Sequence, residues 1–362
     1  GPDFHLFYQK GEKTKEWENL GEYMIRTFAY ANEHFGEYPY SHYSIIQGGD
    51  GGMEYPMATL ITGHRKLKSL VGVSVHEAMH SWYQGLLATN ESLYSWMDEG
   101  FTSYASNRIE KKLFPEDYKN EHDGSYKGYK RIATSEYEEP LCTHADHFNT
   151  NWAYGTASYS KGVVILDQLS HIVGQEAVDN SLKRYFNEWA YKHPTASDFK
   201  RIVEKESGIE LDWYFEYFIN STNTIDYAID EIDYSENLTK VVFKKGEMPM
   251  PIEFDVILKD GGSYKFYVPT LLMRGEKPVE DLVNVLSDWS WTSPYYSITL
   301  EHHPSDISEI VLHPTGHIAD VEPMNDNLII PEKWNWEKHK LEVQIVNHKK
   351  KGKQQKIVKI KK

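Results

Sequence analysis

The segment VGVSVHEAMHSWYQGLL, residues 71–87, places His76 and His80 four positions apart inside a helical pattern that runs from Leu70 to Leu87. Four residues rise about 6 Å along a helix and turn slightly more than once around it, so the two imidazoles share a face. Nitrogens placed this way can reach one zinc ion at about 2.0–2.1 Å. Glu77, turned about 100° round the helix, lies close enough to touch a water at that metal without coordinating it. A chain with 17 His can carry such a pattern by chance, and two solvated or capping histidines are the plain alternative. The next helical run, Glu91 to about Leu113, decides between them. It contains Trp96-Met97-Asp98-Glu99-Gly100, with Glu99 19 positions after His80, enough for a turn and an antiparallel return. An acid there supplies a third protein ligand and leaves a fourth position for water, as a catalytic zinc requires.

The rest of the chain divides by texture. Residues 18–34 place Leu20, Met24, Phe28 and Ala31 at helical spacing, ended by Gly36 and Pro39. Strand-like runs at Tyr43–Ile46 and Tyr55–Ile61 flank the glycine-rich turn at 48–52 and read as a hairpin or as neighbouring edge strands. Phe114 to Asn151 is polar and turn-rich, expected as loops with short helices. Helical spacing returns at Ala157–Val173, Glu176–Ala190, Ala196–Glu206 and Leu211–Phe218. Past about residue 225 short strand candidates dominate: Lys240–Lys244, Ile252–Leu258, Ser263–Val268, Tyr296–Leu300 and Ile307–Leu312. That texture predicts an α+β chain with a mainly helical domain over 1–225, an immunoglobulin-like β-sandwich over 226–320 and an extension over 321–362.

Charge and cysteine content bound the function. The net charge is −15 even though His348–Lys362 carries eight Lys and no acid, so the body is more acidic than the whole. Such a body argues against nucleic-acid binding and leans mildly towards cationic substrates, while the tail reads as a solvated end or an edge strand. No run of about 18 apolar residues is present to span a membrane. The single cysteine, Cys142, excludes an intrachain disulfide and leaves the compartment open. An exported or periplasmic bacterial protein is the expectation, a cytoplasmic one the alternative. No signal segment is visible, and Gly1-Pro2 reads as a scar of tag cleavage, so a longer natural start is expected.

Two more segments join the metal pattern: Gly51-Gly52-Met53-Glu54 before it, and Tyr159-Ser160-Lys161-Gly162, which begins 60 positions after Glu99. Together the four elements resemble the M1 aminopeptidases, the gluzincin family that contains aminopeptidase N and leukotriene hydrolase. The resemblance covers residues 18–225 and, more loosely, the β region to about 320. It implies a thermolysin-like catalytic domain with a small edge sheet and one Zn2+ held by His76, His80 and Glu99. It also implies that Gly51, Gly52 and Met53 let backbone approach a peptide substrate, while Glu54 binds its free amine. Glu77 would take a proton from the attacking water and pass it to the leaving amine, and the Tyr159 phenol would hydrogen-bond the oxyanion.

The chain departs from the family in having Tyr55 where an Asn usually stands. It also lacks room for the family's N-terminal β domain, which contributes another amine-binding group. Poor turnover of free-amine substrates by this chain alone is therefore expected. Cys142, His144 and His147 sit close together but show no further ligands; they read as ordinary loop residues, with a place along the substrate cleft or a second metal site as the alternatives. His302, His303 and His313 are expected at the surface, and Trp289 and Trp291 in packing between sheets. The competing functions are a zinc endopeptidase and a non-catalytic peptide-binding scaffold.

Overall fold

The computed structural model describes residues 1–49, 51–330, 341–345 and 354–361, the last two as backbone only. The chain forms two compact units, one built from 1–170, 174–207 and 214–222, the other from 171–173, 208–213 and 223–362.

The first unit is mixed. Strands β1 (Asp3–Phe7), β2 (His42–Gly48), β3 (Gly52–Tyr55) and β4 (Ala58–Thr62) form one sheet in the order β1-β2-β4-β3. β1, β2 and β4 run parallel, and β3 returns antiparallel to β4, with Gly52 opposite Ile61 and Glu54 opposite Thr59. This corrects the sequence-based pairing. β4, which carries most of the expected Tyr55–Ile61 run, does neighbour β2, but in parallel and inside the sheet, and β3 follows the glycine-rich turn without pairing to β2, so the hairpin reading fails. The run expected as one strand from Tyr55 to Ile61 breaks at Pro56-Met57. Proline lacks the N–H that a ladder needs, and Met57 sits at φ 59° in a tight turn.

Nine helices are described, of which α1 (Trp17–His34) shows the logic. Trp17, Leu20, Met24, Phe28 and Ala31, three or four residues apart, are all buried. The indole N–H of Trp17 donates to the Gly63 carbonyl at 2.9 Å, which makes its burial affordable. α2 (Leu67–His80) passes into a wider π-type turn over Ser81–Leu86. The following helix begins later than its periodicity suggests. The Asn90 side chain accepts from the backbone N–H of Ser92 and Leu93, holding a turn there. A π-type turn over Trp96–Gly100 then leads into α3 (Phe101–Leu113).

The region expected as loops with short helices contains an 11-residue helix, α4 (Asp123–Ala133), whose buried side includes Tyr126, Tyr129 and Ile132. Next, α5 (Asn151–Gly155) is capped by the Thr150 hydroxyl, and a third π-type turn over Thr156–Lys161 leads into α6 (Gly162–Val173). α7 (Gln175–Trp189), α8 (Ala196–Ser207) and α9 (Asp212–Asn220) complete the set. Among the described residues no helix is long and apolar enough to cross a membrane.

The second unit is built from strands in two five-stranded sheets. One is ordered β10 (Tyr295–Leu300), β6 (Leu238–Lys245), β5 (Tyr227–Ser235), β14 (Gln354–Lys361), β13 (Leu341–Ile345). The other is ordered β12 (Asn327–Ile329), β11 (Ile307–Leu312), β7 (Ile252–Leu258), β8 (Ser263–Val268), β9 (Val283–Val285). β7 alternates without a break, with Ile252, Phe254, Val256 and Leu258 all buried, as a half-covered strand must. Strands therefore continue past residue 320, although the side chains of the basic tail lie outside the described residues. His313, expected at the surface, is buried instead, with a ring nitrogen within 4.8 Å of carboxylate oxygens of Asp320 and Asp326. Trp289 is buried against Tyr227 and Tyr296, whereas Trp291 is half exposed.

Candidate active site

α2 carries His76 and His80 on one face, and the turn before α3 brings Glu99 opposite them. Nε2 of His76 lies 3.2 Å from Oε2 of Glu99, Nε2 of His80 lies 3.3 Å from the same oxygen, and the two nitrogens are 3.3 Å apart. Atoms about 2.0–2.1 Å from a tetrahedral metal are separated by about 3.3 Å. The three groups thus have the mutual spacing of one face of a tetrahedral zinc site.

Asp98 was not singled out from the sequence, yet its Oδ1 lies 2.7 Å from Nδ1 of His80. A carboxylate behind a histidine fixes the tautomer that leaves Nε2 free to bind metal. Thr102 Oγ1 lies 3.3 Å from the same Nδ1. Burial opposes charging of His80, but hydrogen bonds to Asp98 and Glu99 outweigh it and push its pKa well up. Burial also pushes Glu99 up, yet hydrogen bonds from His76 and His80 prevail and hold its carboxyl well below the usual range. Exchanging Asp98 for Asn is expected to weaken zinc binding by about 10- to 100-fold. Competition with a chromophoric chelator measures this directly.

Glu77 lies beside the triad, 7% exposed, and burial raises its carboxyl above the ordinary value. Its position explains Gly52. A Cβ on Gly52 would stand 2.2 Å from Oε1 of Glu77 and 2.8 Å from Cγ2 of Val73, so only glycine lets β3 pass over α2 here. Gly51 has no such neighbour; its carbonyl accepts a 2.8 Å hydrogen bond from Arg65, which ties down the turn leading into β3. Glu54, on the same edge strand, has a carboxylate oxygen within 4.8 Å of both Glu77 and His80, and Met53 is half exposed. Tyr55 is likewise half exposed and points into a neighbouring cavity of about 380 Å3.

Tyr159 lies on the π-type turn before α6, its ring stacked on His76 at 5.8 Å and 17°. Burial, and then the negative Glu99 nearby, push its phenol up. A cavity of about 340 Å3 joins Gly52, Met53, Glu54, His76, Glu77, His80, Glu99 and Tyr159. Of the residues given metal, catalytic or substrate-binding roles from the sequence, all except Gly51 therefore line one cleft, whereas Cys142, His144 and His147 are not among its lining residues.

The glycines that follow Glu99 and Lys161 turn out to be the contact between their two turns. A Cβ on Gly100 would stand 2.7 Å from Cα of Gly162, and one on Gly162 would stand 2.8 Å from Cα of Gly100. Ser158 Oγ donates to Ser95 Oγ at 2.8 Å across the same contact. Lys161 is buried, with Nζ 2.8 Å from Oε1 of Glu138, so the turn is also held by an enclosed ion pair. Cys142 is exposed, and the His144 and His147 rings lie 4.8 Å apart. Of that loop, Ala145 reaches the cleft, its N–H tied to the Ser92 carbonyl.

Residues 21–218 match the model of the Peptidase family M1 domain. The chain is 31% identical over 200 residues to aminopeptidase B of Rattus norvegicus, covering 51% of this chain and 29% of that protein. It is 26% identical over 270 residues to leucine aminopeptidase 2 of Chaetomium globosum, covering 69% of this chain and 40% of the relative. To leukotriene A-4 hydrolase of Xenopus laevis it is 29% identical over 218 residues, covering 53% and 35%. The chain thus spans well under half the length of these relatives. Its fold is similar to that of Legionella pneumophila aminopeptidase A, with a TM-score of 0.62, 14% identity and coverage of 88% of this chain and 36% of that one.

Proposed function

This chain belongs to peptidase family M1, and on that footing we propose that it is a zinc aminopeptidase that removes N-terminal residues from peptides. The observation that carries the reading is the set of 3.2–3.3 Å separations among His76, His80 and Glu99. These residues would hold one Zn2+, with Asp98 orienting His80. The ion supplies a Lewis acid for the scissile carbonyl and makes a nearby water acidic near neutral pH.

Glu77 takes the proton of the attacking water and returns it to the leaving amine; its burial keeps it basic enough for the first step. Tyr159 stays protonated and donates its O–H to the oxyanion that develops beside Glu99. Glu54 holds the substrate ammonium, which sets the cut one residue from the end. β3, at the edge of its sheet, offers backbone groups for an extended peptide to pair with. We read the first unit as thermolysin-like and the second as an immunoglobulin-like sandwich.

The test is a panel of aminoacyl-coumarins and their N-acetylated counterparts with metal-replete protein. Cleavage confined to the free amines is expected. Cutting of N-acetylated peptides would assign an endopeptidase, and bound zinc without any cleavage would leave a peptide-binding protein.

A further inference from the structure

Glu91 has no part in the chemistry so far, yet it borders the catalytic cleft and the neighbouring cavity alike. It sits on the turn between the two ligand-bearing helices. That turn is fixed by the Asn90 side chain and by the bond from the Ala145 N–H to the Ser92 carbonyl. Carboxylate oxygens of Glu54, Glu91 and Asp98 lie within 4.8 Å of one another. Asp98 is committed to His80, and Glu91 receives only a long 3.4 Å hydrogen bond from Gln84 Nε2. A second feature of the same cleft points to a cationic ligand. Glu77 is more than nine-tenths buried, lines the cavity, and its carboxylate makes no hydrogen bond to a described residue.

An ammonium nitrogen about 2.8 Å from two carboxylate oxygens, with its N–H bonds at the tetrahedral angle, holds those oxygens about 4.6 Å apart. The Glu54–Glu91 separation admits this arrangement. Building on the aminopeptidase reading, we propose that Glu91 is a second anchor for the substrate's N-terminal ammonium. It pairs with Glu54 across the cleft, so this chain supplies both acids from its own catalytic unit. Asp98 adds negative charge behind them, while an N-acylated peptide brings no cation and meets three facing carboxylates. Glu91 is a specificity residue: it reads the free amine and does not touch the bond being cut.

The test compares leucine hydroxamate with 4-methylpentanohydroxamate, which lacks only the amine, by calorimetry on the zinc-loaded chain. Binding needs no turnover. Wild type should favour the free amine by at least about tenfold, and Glu91→Gln and Glu54→Gln should each remove most of that preference. Affinity for the des-amino compound should not fall in either variant. A preference lost in Glu54→Gln but intact in Glu91→Gln would overturn the role of Glu91 and leave the aminopeptidase reading standing. Equal binding of the two compounds by wild type would overturn both.

Discussion

Glu77→Gln is expected to lower kcat by about 10²- to 10⁴-fold while zinc content stays at the wild-type value. Glutamine keeps the size of the side chain and can still hydrogen-bond, but it cannot accept a proton and hand it on. Metal analysis beside steady-state kinetics separates loss of the base from loss of the ion. Activity within about threefold of wild type, with zinc retained, would exclude Glu77 as the base.

The second large effect concerns a residue that touches no substrate. Gly162→Ala places a methyl group 2.8 Å from Cα of Gly100 and 3.2 Å from the Trp96 carbonyl oxygen. Both are backbone atoms, so no side chain can swing aside, and the two turns must separate. Overpacking of this kind costs about 1–3 kcal/mol, occasionally more. The turns carry Glu99 and Tyr159, and a displacement on the order of 1 Å at reacting groups costs about 10² in rate. The variant should therefore unfold at a lower temperature, bind zinc less tightly and lose about a hundredfold in kcat/KM. Gly155→Ala is the control: a Cβ there meets nothing within 4 Å, and stability should change by no more than about 0.5 kcal/mol. Thermal unfolding of both variants with and without zinc reads the difference.

How much of this was legible beforehand depended on the kind of signal. The metal face was legible because helical spacing alone brings His76 and His80 together, and Glu99 needed only a turn of plausible length. Glu54 and Tyr159 entered through resemblance; nothing in their local sequence says that they meet. Asp98 and Glu91 went unremarked because an acid beside a ligand, or in a turn, looks like surface charge until the fold shows what faces it. Gly100 and Gly162 stood inside motifs already noticed, but their mutual contact spans 62 positions and has no local trace. The parallel pairing of β2 with β4 has no local signal, because a glycine-rich turn usually marks a hairpin. Here the hairpin is made by Pro56-Met57, where a positive φ falls on methionine rather than glycine.

β3 carries a further consequence. A strand at the margin of a sheet, with main-chain groups turned to solvent, is as open to an unfolded neighbour or to a second copy as to a peptide about to be cut. Two features restrain such self-association. The strand is only four residues long, and Glu54 sits in its middle, so a chain entering without a cation at its end brings nothing to neutralise that charge. The group proposed to read the substrate would therefore also keep the margin solitary, and losing it would trade selectivity for stickiness.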